Sequence, residues 1–399
     1  MSASTSADVL PDELGVGQTE RVTAPTRSGT QVTESRQRVA NQDQMLSKLM
    51  IKLMIPTTTA LVSFQGADPS DPGTDERPPL EHASTVEPNN LTMRPITGRE
   101  ELGLFCQLPY TLNEELADDL DQGRRRPEWM WMALLGDRLL ARAAWWSRPG
   151  GDTPASLDVL DVDDSLPVPD RVEIGVRLLR TAMSATLPGG STPPEYSRLI
   201  PPDWRDGASS RGIVEDRMAI LERTGARLFV ERLRLEWRPG TPGPEPSGRL
   251  AFRTPRNPSE LPALMTRVLD GTLDAHSRHD LDRMSADAAA TRHYEDELAR
   301  YTSPKDWWRV AVLPNAAPVG FVVPAHNGYH AIIAYIAVLP EHRGNRYVDD
   351  LLSEGTRVLA QQNVPRVRAS TDLGNVPMAN AFQRAGYLNF GREINMTWS

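Results

Sequence analysis

From residue 91 onward the chain repeats itself. "LTMRP" (91–95) returns as "LAFRT" (250–254), and "EWMWMALLGDRLLARAAW" (128–145) lines up with "DWWRVAVLPNAAPVGFVV" (306–323). Each longer segment runs acid, Trp, apolar strand, short turn, second apolar strand, which is the pattern of a hairpin. The endings match as well. "TGARLFVERLRLEW" closes at Trp237, twelve residues after Gly225, and "AGYLNFGREINMTW" closes at Trp398, twelve after Gly386. Both last strands alternate, Leu233, Leu235 and Trp237 against Ile394, Met396 and Trp398, so one face of each is apolar. Matching starts, middles and ends predict two copies of one domain, 91–237 and 250–399, each of a size suited to one compact α/β unit. The Pro- and Gly-rich stretch 238–249 reads as the linker between them.

Residues 1–90 have a different character. A Ser-, Thr- and Gly-rich stretch and a Pro- and Asp-rich stretch lack any apolar period and read as a largely disordered extension. Between them lies "MLSKLMIKLMIPTTTALVSF" (45–64). Lys48 and Lys52 interrupt this run and Pro56 breaks it, leaving less than the ~18 to 20 apolar residues that a span needs. No transmembrane segment is expected. The segment reads as a short amphipathic helix that docks on the body or a partner, with a loose membrane contact as the second reading. The fresh start at Leu91 makes 1–90 dispensable for folding of the body.

A formal net charge of −9 disfavours a nucleic-acid partner, because neutralising phosphates takes a basic face. Cys106 is the single cysteine. It permits no internal disulfide and fits a reducing, cytoplasmic setting, where a lone thiol is more often a small core hydrophobe than a nucleophile.

The second copy carries the informative chemistry. "HAIIAYIAVL" (330–339) has the β-branched, apolar content of a buried strand, and Pro340 ends it. "EHRGNRY" follows, and from Tyr347 the apolar positions Val348, Leu351, Leu352, Val358 and Leu359 fall at helical spacing. The order strand, glycine-containing turn, helix leaves unpaired N–H groups at a helix start, and these attract phosphate. Arg343 adds a fixed positive charge of bidentate geometry. A further strand lies in "VPRVRASTD" (364–372); Asn375 then caps a helix bearing Met378, Ala381 and Phe382, and Gly386 ends it.

These two motifs resemble those of the GCN5-related N-acetyltransferase (GNAT) superfamily. Val338, Pro340, Arg343 and Gly344 stand where its V-x-P-x-x-R-G pattern places them. Asn375, Met378, Ala381, Phe382, Gly386 and Tyr387 follow its downstream N-x-x-A-x-x-L-Y-x-x-x-G-F pattern. The resemblance covers 250–399 well and reaches 91–237 through the repeat. It implies two tandem GNAT-like domains, each a central mixed sheet flanked by helices and splayed between its fourth and fifth strands. It further implies acetyl-CoA as acyl donor, its pantetheine arm paired with Ile336, Ala337 and Val338. The pyrophosphate would sit on Arg343, Gly344, Asn345, Arg346 and Tyr347, with Asn375 and Phe382 completing the cofactor wall. The reaction would be direct transfer from thioester to amine.

The sequence departs from the family in places. Arg346 and Val348 stand where R-x-x-G-x-G/A has glycine or alanine. Arg346 either blocks the approach of phosphate or supplies another donor to it. Phe382, without a hydroxyl, holds the place of the usual Tyr general acid. The fourth strand offers no carboxylate, only His330 and Tyr335. Candidate proton-handling residues are Tyr335, Tyr347 and Asp372, with Tyr387 as a further hydroxyl; a turn or capping role for Asp372 and a packing role for Tyr347 and Tyr387 stand beside this. His276, His279 and His293 precede the hairpin and read as acceptor-site contacts or exposed helix polarity rather than metal ligands. After "SLDVLDVDD" the first copy has no Arg-Gly turn, so it should bind no CoA and serve as scaffold or complete the acceptor pocket. The reading is a cytoplasmic N-acetyltransferase of a small-molecule amine with one active site, in the second copy. The competing reading is a non-catalytic acyl-CoA-binding or regulatory protein.

Overall fold

The computed structural model describes residues 91–242 and 247–399. The extension 1–90, with its apolar piece 45–64, and part of the linker lie outside the described residues. The first copy contributes β1 (Thr92–Pro95), α1 (Leu102–Phe105), α2 (Leu116–Asp121), β2 (Met130–Leu135), β3 (Arg138–Trp146), β4 (Ser156–Val162), α3 (Val168–Thr186), β5 (Tyr196–Ile200), α4 (Ala208–Arg223) and β6 (Arg227–Trp237). The second contributes β7 (Ala251–Arg253), α5 (Glu260–Val268), α6 (Ala275–Leu281), α7 (Ala286–Asp296), β8 (Arg309–Val312), β9 (Pro318–His326), β10 (Ala331–Val338), α8 (Tyr347–Ala360), β11 (Val367–Asp372), α9 (Val376–Arg384) and β12 (Leu388–Thr397). The two series match strand for strand, and both quoted hairpins are present as β2–β3 and β8–β9.

All twelve strands join one sheet, ordered β1-β2-β3-β4-β5-β12-β6-β11-β10-β9-β8-β7. The order holds an exchange. β12, the last strand of the second copy, pairs with β5 of the first (Arg392↔Ile200), while β6 of the first copy pairs with β11 of the second (Val367↔Trp237). The copies are continuous in sequence, yet each half-sheet is completed by the other copy's last strand. β6 and β12 then pair with each other along most of their length. Their apolar faces serve the cores: Ile394 and Met396 pack with Leu157, Leu160 and Tyr196, and Leu235 packs with Val367, Ala369 and Phe382.

The other face of this seam is polar and buried. Arg232, Arg234, Glu236, Glu393 and Asn395 are each less than a tenth exposed. Glu393 accepts from Arg234 Nη1 at 2.7 Å and from Ser197 Oγ at 2.6 Å, and Asn395 Nδ2 donates to Glu195 at 2.9 Å. Charges survive such burial only when paired, and the pairs Glu393–Arg234 and Glu236–Arg368 tie one copy to the other.

In both half-sheets the fourth and fifth strands are parallel and barely joined. β4 meets β5 only at Leu157↔Tyr196, and β10 meets β11 only at Ala331↔Val367 and Ile332↔Arg368. Beyond those pairs the strands diverge. A bulge in each half, at Ala144/Trp145 opposite β4 and at Ile333/Tyr335 in β10, marks where the divergence begins.

Candidate functional site

The splay between β10 and β11 opens into a cavity of about 490 Å3. Its walls are the second half of β10, the loop between α5 and α6, α6 and α7, the turn before α8, and the start of α9. Arg232 from the exchanged strand β6 also reaches it. The sequence pattern made all of 330–339 a buried strand. Residues 331–333 and Leu339 are buried, and 334–338 are half-buried because they face this opening. Leu339 turns its N–H to Val319 O on β9 (2.8 Å). By strand alternation Ile336 and Val338 therefore turn their N–H and C=O groups to the splay. An extended chain laid there finds a ready hydrogen-bonding edge.

At the mouth lies the turn 340–346, which delivers the chain to α8. Gly344 has φ +81° and Arg346, the N-cap of α8, has φ +59°. Arg346 thus adopts the left-handed conformation in which glycine is at ease, at a cost of about 1 kcal/mol. The backbone geometry that a glycine would supply is present despite the arginine. Its side chain is two-thirds exposed and 3.7 Å from Asp349. Arg346→Gly should therefore stabilise the fold by about 1 kcal/mol, seen as a raised melting temperature. On the acyl-CoA reading that the motif resemblance implies, it should also weaken acetyl-CoA binding about tenfold through the lost charge; tighter binding would mark the arginine as an obstruction.

Arg343 lines the cavity, but its guanidinium is engaged elsewhere. It donates to Val268 O (2.8 Å), Asp270 O (2.7 Å) and Val338 O (3.3 Å), clamping the end of α5 and the following loop onto the turn. Asn345 does not line the cavity; its side chain donates to His342 O and Arg343 O within the turn. Two arginines carrying no motif signal reinforce the region. Arg249 donates to Asn345 O (3.0 Å), pairs with Asp350 (2.6 Å) and lies over the Tyr347 ring (4.9 Å). Arg384 pairs with Asp349 (2.6 Å). The two acids in the first turn of α8, which would repel a phosphate, are thus neutralised.

The proton-handling candidates separate on inspection. Asp372 does not line the cavity: it pairs with Arg232 (2.7 Å), and its other oxygen accepts the Ala275 N–H at the start of α6 (2.6 Å). That carboxylate is occupied in holding α6 to the sheet. Tyr335 lines the cavity, its ring edge-on to Phe321 and stacked on His293 (centroids 4.9 Å apart, 15° between planes). Burial pushes its hydroxyl well above the ordinary tyrosine range, so it stays protonated. Tyr347 sits at the first turn of α8 under Arg249. Asn375 caps α9 by accepting the Met378 N–H, and Phe382 is buried edge-on to Tyr387, whose hydroxyl bonds Thr356 (2.7 Å). His276 lies between Glu195 (3.1 Å to Nε2) and Arg232 (3.4 Å to Nδ1). Among the described residues no group of three or more His, Cys, Asp or Glu forms a metal site, and no helix is long and apolar enough to cross a membrane.

The corresponding splay of the first copy is filled from within. Leu160 O and Val162 O occupy the edge of β4 that matches Ile336 and Val338 on β10. They accept from Arg198 Nη1 (3.1 Å) and Arg217 Nη2 (3.1 Å). On β5, the Leu199 N–H donates to the Tyr110 hydroxyl (3.1 Å). Asp161 binds Arg198 (2.9 Å) and Arg142 (2.8 Å). Burial alone would lift the Asp161 carboxyl, but the surrounding guanidinia outweigh it and hold the group below the ordinary carboxylate range. Both carbonyls of that edge are thus taken by side chains of the same half.

A mixed sheet splayed beside a strand–turn–helix, with helices closing the opening, is the architecture of an acetyltransferase of the GNAT type. Residues 275–387 match the model of the acetyltransferase (GNAT) family. The fold is similar to the crystal structure of a GCN5-related N-acetyltransferase from Sphaerobacter thermophilus (TM-score 0.50, 16% identity, 78% of this chain and 96% of that one). It is also similar to a tandem GNAT protein from the clavulanic acid biosynthesis pathway, without AcCoA (TM-score 0.44, 17% identity, 77% of this chain and 98% of that one). No curated protein sequence matches the chain significantly.

Proposed function

We propose that the chain is an acyl-CoA-dependent N-acetyltransferase of a small amine, with its one active site in the second half. The observation that carries this reading is the contrast between the two splays. The edge of β10 faces an open cavity at Ile336 and is touched at its outer end by Arg343 on Val338 O (3.3 Å), whereas the matching edge of β4 is bonded at both carbonyls by Arg198 and Arg217. An amide-bearing pantetheine arm has the donors and acceptors to pair with the open edge as an added strand. The left-handed turn at Gly344 and Arg346, with the first N–H groups of α8, suits its pyrophosphate. The single thiol Cys106 agrees with a reducing, cytoplasmic setting.

Calorimetry with acetyl-CoA should give one site per chain, and a stoichiometry of two would remove the assignment of the first half as scaffold. Thiol release from acetyl-CoA is then followed across a panel of primary amines. Binding without release for any amine would favour the non-catalytic acyl-CoA-binding reading. No binding at all would overturn both.

A further inference from the structure

We infer that His293 takes the proton from the acceptor amine, and that the first copy holds it in place through Arg148. This deepens the acyl-transfer reading above and rests on it. His293 lies on α7 and lines the cavity, its ring stacked on Tyr335. Tyr335 stands at the bulge where β10 leaves β11, the inner end of the open edge. A donor anchored at the turn and running back along Val338 and Ile336 brings its acyl end to this point. The imidazole is therefore at the reacting end of the cavity, not the phosphate end.

The surroundings fit a proton acceptor. Glu297 Oε2 is 3.7 Å from His293 Nε2, and its other oxygen accepts from the Tyr301 hydroxyl (2.7 Å), which fixes the carboxylate. Arg148, just beyond β3 of the first copy, donates to Asp296 O (2.8 Å), at the last residue of α7. A cation there suits the negative end of the helix and pins the turn that carries Glu297. Asp296 also meets Arg300 (3.4 Å). Asp280 is taken up by Arg292 (3.3 Å), and Asp274 caps α6 and faces Arg232. The other candidates serve less well: Asp372 is tied to Arg232 and Ala275, and both His276 nitrogens face charged partners. In the reaction the amine nitrogen attacks the thioester carbonyl, forming C–N as C–S breaks. The amine proton passes to the imidazole, and the imidazolium returns it to the leaving thiolate, so no net proton is consumed.

The test begins with histidine-labelled full-length protein carrying bound CoA, followed by NMR from pH 5.5 to 9, with His293→Gln assigning the signal. His293 is expected to titrate within that range. Glu297→Gln should lower its midpoint, because an anion stabilises imidazolium, and Arg148→Met should lower it less, because the turn that carries Glu297 is then no longer pinned. In parallel, thiol release from acetyl-CoA is measured against pH with ethanolamine, phenethylamine and 1,4-diaminobutane. His293→Gln should lose the rising limb and roughly 10^2- to 10^4-fold in rate while binding acetyl-CoA as the parent does. A ring that does not titrate, shifts of the wrong sign, or a rising limb that survives His293→Gln overturns the inference. If none of the three amines is acetylated, the NMR result decides. Failure of the parent to bind acetyl-CoA would instead remove the functional reading beneath it.

Discussion

Replacing Glu393 by alanine should destabilise the protein by roughly 3 to 5 kcal/mol, the cost of stranding a buried charge. Glu393 is 1% exposed, and its oxygens accept from Arg234, Ser197 and Asn395. It sits on β12 at the seam, bonded to β6 and β5 of the other copy, so its loss strikes the exchange itself. Denaturant unfolding should show one transition at a lower midpoint with an unchanged slope. Two separate transitions would mean that the halves fold independently despite the exchange. The same residue sets a pH dependence. Burial lifts its carboxyl, but Arg234 and Ser197 more than offset this and leave it below its ordinary value. A lowered folded-state value contributes stability above the ordinary carboxylate range, and that stability is lost as pH falls through the lower value. Glu393→Gln should therefore flatten the acid limb of the stability curve, whereas an acid limb identical to the parent's would assign it to other groups.

Gly320→Ala should harm both the fold and the cleft. Gly320 on β9 stands opposite Val338, and a methyl group there would overlap the Ala337 carbonyl oxygen and press on Val338 Cα at 3.0 Å. Those atoms belong to a neighbouring strand backbone and cannot swing aside as a side-chain end can. Overpacking of this kind costs about 1 to 3 kcal/mol. The strand pushed away is the one proposed to offer its edge to the acyl donor, so on that proposal acetyl-CoA affinity should fall about tenfold, the equivalent of 1.4 kcal/mol. Gly212→Ala makes the same chemical change inside α4, where a Cβ meets nothing within 4 Å. It should stabilise by up to about 1 kcal/mol and leave binding unchanged. Equal effects from the two substitutions would show that the close approach at Gly320 has no special consequence.

Much of this protein is legible in local sequence because local physics decides it. The repeat, the paired hairpins, the Asn375 cap and the strand–turn–helix at 331–360 each follow from short-range periodicity and turn chemistry. The missing Arg-Gly turn likewise marked the first half as different. Side-chain commitments were less legible. Arg343 reads as a phosphate ligand, yet its guanidinium meets carbonyls some seventy residues earlier in the chain. Asp372 reads as a candidate base but pairs with Arg232, from the opposite copy. Arg198 and Arg217 give no sign in sequence that they will close a strand edge.

The sequence by itself determined the repeated order of strands and helices, and the Arg-Gly turn found in its second half alone. Only the tertiary structure decided which last strand completes which half-sheet. β6 and β12 have the same length class, the same alternation and the same closing Trp, so either could satisfy either sheet. The choice lies in long-range pairs such as Glu393 with Arg234 and Asn395 with Glu195. Partners well over a hundred residues apart leave no local pattern, because what selects them is the burial they share after folding.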